Sequence, residues 1–134
     1  MTIRPDGTRD EHAFVVLAAS SATAAGRPGA AALLESGVVT NRNSIPADPN
    51  GAWYTSGIRI GTPALTSRGF GSDEFDQVAE LIVTTLKATT PLTSSTGKPG
   101  KAKYHITDGV AQRVHDAADE LLGSFPLYPG LDLA

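Results

Sequence analysis

The apolar positions of this chain fall in short clusters separated by turn-forming residues, and the clusters differ in spacing. Residues 13–19 (AFVVLAA) form a brief run with β-branched Val15 and Val16 side by side, a pattern that favours a buried strand over a helix. Residues 1–12 before it are polar, contain Pro5 and Gly7, and read as a tail or lead-in strand. Gly26-Arg27-Pro28-Gly29 breaks the chain. Pro28 suits the first turn of a helix, residues 30–35 have high helix propensity, and Gly37 stands where a left-handed C-cap belongs. Val38, Val39 and Thr40 predict a second short strand. Residues 41–51 (NRNSIPADPNG) carry too much proline and asparagine to continue a ladder, so they predict a long loop closed by Trp53 and Tyr54. Residues 56–61 (SGIRIG) predict a third strand bounded by glycines.

Beyond that point the spacing turns helical. Thr62-Pro63 can open a short helical turn that Arg68-Gly69-Phe70-Gly71 ends. Ser72 is a suitable N-cap, and Asp73 and Glu74 favour the positive end of the helix that follows. Phe75, Val78, Ala79, Ile82 and Leu86 recur at helical intervals and predict one buried stripe, ended by Pro91. Residues 89–103 (TTPLTSSTGKPGKAK) predict an exposed connection. A last helix is expected over residues 107–124, burying Val110, Val114, Ala117, Ala118, Leu121 and Leu122. Residues 125–130 (FPLYPG) are apolar but too rich in proline for a regular helix. Residues 1–134 thus predict one α+β domain, a small antiparallel sheet with helices packed on one face.

Composition narrows the function classes. A chain of 134 residues can bury a real core, and with only 6% aromatic residues that core rests on Ala, Val, Leu and Ile. The 11 basic side chains are outnumbered by 14 acidic ones and the arginines are scattered, so the clustered basic footprint of a nucleic-acid binder is missing. Lys98, Lys101 and Lys103 read as a solvated loop. With no cysteine, a disulfide framework, thiolate catalysis and Cys-ligated metal are excluded. The longest apolar run, residues 13–19, is far short of the ~20 residues that cross a bilayer, and residues 1–12 are too charged for a signal peptide. No membrane partner is expected, and a cytoplasmic location is.

Few residues invite chemistry. Arg59 lies between Ile58 and Ile60; if the isoleucines face one side of a strand, Arg59 faces the other. On the pattern alone it is either a solvent-face arginine or a rigidly mounted clamp for a carboxylate. The loop from Asn41 to Trp53 offers the amides of Asn41, Asn43 and Asn50 and an aromatic ring, which suit a planar heterocycle as well as they suit ordinary turns. His12, His105 and His115 share no metal-ligand spacing, so no metal site is expected. Asp73, Glu74 and Asp76 read as a helix N-terminus, and no phosphate-binding glycine motif occurs.

The stretch VVTNRNSIPADPNGAWYTSGIRIGTPALTSRGF is similar to the C-terminal signature of serine hydroxymethyltransferases, with TSGIRIGTPA its most specific part. The lead-in DEHAFVVL, the helix GSDEFDQVAELI and the ending FPLYPGL resemble that family too, so nearly the whole chain is covered, least well over residues 18–30.

The resemblance implies the small domain of a pyridoxal-phosphate enzyme of fold type I, which converts serine and tetrahydrofolate to glycine and methylene-tetrahydrofolate. It implies a homodimer or homotetramer. Arg59 matches the family's arginine for the substrate carboxylate of serine or glycine. Asn43 and the stretch Gly51, Ala52, Trp53 match its folate-contacting loop, with Ala52 in place of the usual proline and Trp53 bulkier than usual. The lysine that carries pyridoxal phosphate belongs to a large domain that this sequence lacks. The expectation is therefore a domain without catalytic residues of its own, inactive alone, that works with a large cofactor-binding domain or a full-length homologue. The alternative is a non-catalytic relic or a regulatory module that docks on such a homologue.

Overall fold

The computed structural model describes residues 26–93, 97 and 100–128 in full, and residues 15–18 and 99 as backbone. The element order is β1 (Val15–Ala18), α1 (Arg27–Glu35), β2 (Asn41–Asn43), α2 (Gly51–Tyr54), β3 (Gly57–Ile60), α3 (Pro63–Ser67), α4 (Ser72–Ala88), β4 (Thr89–Thr93), β5 (Pro99–Ile106) and α5 (Val110–Gly123). The α+β expectation holds. The readings of residues 1–12, with His12, and of Lys98, Pro129 and Gly130 lie outside the described residues.

The first sheet has the order β1-β3-β2 and is antiparallel throughout. Its middle strand, β3, alternates as expected: Ile58 is buried and Arg59 exposed. Ile58 packs with Leu33 of α1 and Ile82 of α4, and Val38, Ile60, Val78 and Leu86 close around them. Helix α1 lies at the centre of the packing, touching α4, α5, β2 and both strands of the second sheet. It ends as the sequence predicts. Gly37 takes φ 81°, and the N–H groups of Gly37 and Val38 donate to the carbonyls of Leu34 and Leu33.

Several expectations need correction. The second strand is not residues 38–40 but Asn41–Asn43. The β-branched pair Val38 and Val39 instead lies in irregular chain between the turn after α1 and β2, with Val38 partly buried and Val39 exposed. Pairing to β3 outweighs the low strand propensity of asparagine. The segment 89–103 is no mere connection either, because β4 and β5 form a separate antiparallel hairpin. Threonine branching and an edge position reconcile a strand with Pro91 and Pro99. Residues 51–54 are one helical turn rather than loop. Helix α4 starts at Ser72, so Gly71 is its cap, and the Glu74 carboxylate accepts the Gly71 N–H at 2.7 Å. Helix α5 begins at Val110, three residues later than expected, because Gly109 adopts φ 73°.

The buried stripes are close to those the spacing predicts, with two departures. Ala79 and Ala117 face solvent, whereas Thr85 is fully buried. A threonine is tolerated there because its hydroxyl donates to the Leu81 carbonyl at 3.0 Å, and Thr89 repeats the device on Thr85 at 2.7 Å. Phe70 is buried against Phe75 and Phe125, with ring centroids 6.0 and 4.8 Å away. Beside it the Arg68 guanidinium donates to the carbonyls of Phe125 (2.7 Å) and Leu122 (2.8 Å), so it caps the end of α5. Tyr104 of β5 donates to Glu35 of α1 at 2.9 Å; burial, then that carboxylate, pushes its phenol pKa up.

Candidate functional site

Strand β3 mounts Arg59 between two neighbours. The register places Asn41 of β2 opposite it on one side and Val16 of β1 on the other. The Arg59 Nε–H donates to Asn41 Oδ1 at 3.2 Å, which sets the plane of the guanidinium. The group stands exposed on the sheet face opposite the core, where Ile58 cannot follow it. Asn43 projects to the same face as Asn41, two residues along, and pairs with Gly57. Asn43 is partly buried, and its Nδ2 donates to the Ser44 carbonyl at 3.3 Å.

Between β2 and β3 the chain makes a closed loop around one carboxylate. Asp48 Oδ1 accepts from the Ser56 hydroxyl (2.6 Å) and the Asn50 N–H (2.9 Å), while Oδ2 accepts from the N–H groups of Ser56 (2.7 Å) and Ile45 (3.3 Å). The Ser56 hydroxyl, ahead of the Asn50, Ser56 and Ile45 N–H groups, lowers the Asp48 pKa to about 2 against the opposing push of desolvation. Asn50 Nδ2 donates to Ser56 Oγ at 2.9 Å and completes the ring. Sequence reading passed over Asp48 and Ser56. The signal was an aspartate set between Ala47 and Pro49, the Asx-turn context of a residue that bonds the backbone two positions on.

The loop presents α2 outward. Gly51, Ala52 and Trp53 are all exposed, Trp53 at 68%. Tyr54, partly buried, lies under the Lys101 ammonium of β5, 5.3 Å from its ring centroid. The structure thus gathers Arg59, Asn41 and Asn43 on one sheet face and carries residues 51–53 on the loop leading into β3. Two buried hydroxyls near this region, Thr40 Oγ1 and Thr55 Oγ1, have no hydrogen-bond partner among the described residues.

The rest of the surface offers less. A shallow groove of about 410 Å³ lies on α4, lined by Ala79, Glu80, Val83, Thr84 and Lys87, and none of these residues belongs to the Arg59 face. His115 meets Asp119 at 3.4 Å along α5, an exposed pair of helical neighbours. Among the described residues no three His, Asp or Glu side chains converge as metal ligands, and no helix is long and apolar enough to cross a membrane.

Pyridoxal phosphate needs an activated lysine in a sheltered pocket to form its Schiff base. Lys87, Lys101 and Lys103 are all exposed. The described residues therefore do not fit that cofactor by themselves.

The described residues thus form a small α+β domain that displays the Arg59 guanidinium and the polar loop around Asp48 on its surface. The family model of serine hydroxymethyltransferase matches residues 2–82. A serine hydroxymethyltransferase of Cutibacterium acnes is 78% identical over 129 residues, which is 96% of this chain and 26% of that protein. The Mycolicibacterium smegmatis relative is 61% identical over 95% of the chain and 25% of its own length, and that of Treponema pallidum 49% identical over 80% and 19%. This chain belongs to the serine hydroxymethyltransferase family. It spans about a quarter of the length of the Cutibacterium acnes and Mycolicibacterium smegmatis relatives.

Proposed function

We propose that this chain is the quarter of a serine hydroxymethyltransferase that supplies the substrate-carboxylate arginine and part of the folate wall, acting only with a large domain that brings pyridoxal phosphate. The working assembly in this reading is a cytoplasmic homodimer or homotetramer. The observation that carries it is the mounting of Arg59. Flanking strands fix its backbone on both sides, and Asn41 fixes the plane of its side chain. A guanidinium presents its N–H donors in a rigid planar fork. Two parallel bonds to the carboxylate of serine or glycine suit that fork, and a lysine could not reproduce them. Asn43, Gly51, Ala52 and Trp53 would form the folate side of the site. Trp53 offers a face on which a pteridine ring can stack, and Asn43 an amide that can bond its edge.

The test is a chimera in which this chain replaces the matching quarter of the Cutibacterium acnes enzyme, loaded with pyridoxal phosphate and assayed for folate-dependent conversion of serine to glycine. Arg59→Ala is expected to raise the KM for serine about 100-fold, the loss of roughly 3 kcal/mol of charge-assisted bonding. Arg59→Lys should recover only part of that loss. A KM for serine within twofold of the parent chimera in Arg59→Ala would remove the role given to this residue.

A further inference from the structure

We propose that Asp48 is a positioning residue for the folate side of this site, holding α2 and Trp53 in place relative to Arg59. The proposal rests on the folate reading above and adds to it a residue that touches neither substrate.

Two features of the loop carry it. The first is connectivity. The four hydrogen bonds that Asp48 accepts come from Ile45 at the entry to the loop, from Asn50 just before α2, and from Ser56 just before β3. One carboxylate thus ties both ends of α2 to the start of the strand that bears Arg59. The second is strain. Ala47 and Thr55, the residues just before Asp48 and Ser56, have φ of 54° and 43°, a region that side-chain-bearing residues avoid and that a β-branched threonine avoids most. A loop held in such a conformation relaxes when its restraint is removed. Packing reaches the loop at its end, where buried Thr55 lies against Gly26, but α2 itself contains no buried residue. Arg59 is held differently, by ladder pairing on both sides and by Asn41. Loss of the carboxylate should therefore move Trp53 while leaving Arg59 in place.

The experiment uses the same chimera and reads the two KM values separately. Asp48→Asn keeps the shape but turns one acceptor oxygen into a donor, which meets a backbone N–H whichever way the amide turns: those of Ser56 and Ile45, or that of Asn50. It is expected to raise the KM for tetrahydrofolate about tenfold, with the KM for serine and kcat changed less than threefold. Ser56→Ala removes only the hydroxyl bond and should move the folate KM the same way, about threefold. Trp53→Ala separates the two ideas. If it leaves the folate KM unchanged, the folate wall itself is misassigned. If it raises that KM while Asp48→Asn and Ser56→Ala do not, the positioning role fails and the folate wall stands. An equal rise in both KM values for Asp48→Asn would mean general loosening and would also overturn the proposal. Should Asp48→Asn not fold, Ser56→Ala decides alone.

Discussion

The two halves of this domain are held together by different means. Around α1, stability comes from apolar burial: Leu33, Ile58 and Ile82 meet at the centre, and even the buried threonines bond within their own helix or at its end. The segment from Asn41 to Ser56 places most of its side chains on the surface, and polar bonds to Asp48, Asn41 and Ser56 hold it. The helical half could be repacked with other aliphatic residues of similar volume. The loop half could not, because each of its bonds depends on one donor meeting one acceptor. A binding surface has to stay exposed, so polar bonds are the restraint open to it.

The sharpest way to break this division is at the joint between the halves. Gly26, at φ 66°, precedes α1, and a Cβ there would fall well inside van der Waals distance of the Thr55 carbonyl oxygen, with the Tyr54 carbonyl close behind. Neither is the end of a flexible side chain that could swing aside. Gly26→Ala combines overpacking with an unfavourable backbone conformation and should cost about 3–5 kcal/mol. Urea unfolding of the chain followed by circular dichroism measures it. A loss below about 1 kcal/mol would mean that the two halves are not packed together at Gly26 and Thr55.

A smaller effect tests whether polar bonds carry stability in the helical half as well. Arg68 donates two charge-assisted bonds to carbonyls at the end of α5 and lies beside the Phe70–Phe125 pair. Arg68→Met keeps the unbranched apolar stem and removes both bonds, for an expected loss of about 2 kcal/mol. A wild-type unfolding midpoint would leave apolar packing as the only restraint on that end of α5.

This division also accounts for what could be read from the sequence. The apolar half was legible because burial leaves a periodic trace: α1, α4 and α5 and most of their buried stripes follow from spacing alone. Thr85 was missed because its burial depends on a local hydroxyl bond that hydrophobic periodicity does not register. The hairpin of β4 and β5 was hidden by its prolines and glycines, which signal turns unless the strand is at an edge. In the loop half, alternation exposed Arg59 at once, because Ile58 and Ile60 flank it. The loop was legible as a loop, but not the part played by Asp48. Its four bonds reach up to eight residues along the chain, and no periodicity encodes such a closure. The shift of the second strand to Asn41–Asn43 has the same origin, since pairing with β3 decides it rather than local propensity.

The smallest expected effect comes from acid, and it separates the halves without a mutation. Asp48 has its pKa lowered from 3.8 to about 2, chiefly by the Ser56 hydroxyl bond. A carboxylate depressed by folding stabilises the fold fully above its unfolded pKa, and that contribution disappears as pH falls through the folded value. The bonds around Asp48 should therefore weaken below about pH 4 and be lost near pH 2. Trp53 is the only tryptophan in the chain and sits on the turn that Asp48 holds, so its emission reports the loop half alone. Helical ellipticity reports α1, α4 and α5. Between pH 4 and pH 2 the Trp53 signal is expected to change before the ellipticity does. Ser56→Ala should move the Trp53 transition to higher pH, because the bond that contributes most to the lowered pKa is gone. If both signals change together in the parent chain and in Ser56→Ala, the loop unfolds only with the helices, and the separation between a burial-held half and a bond-held half is lost.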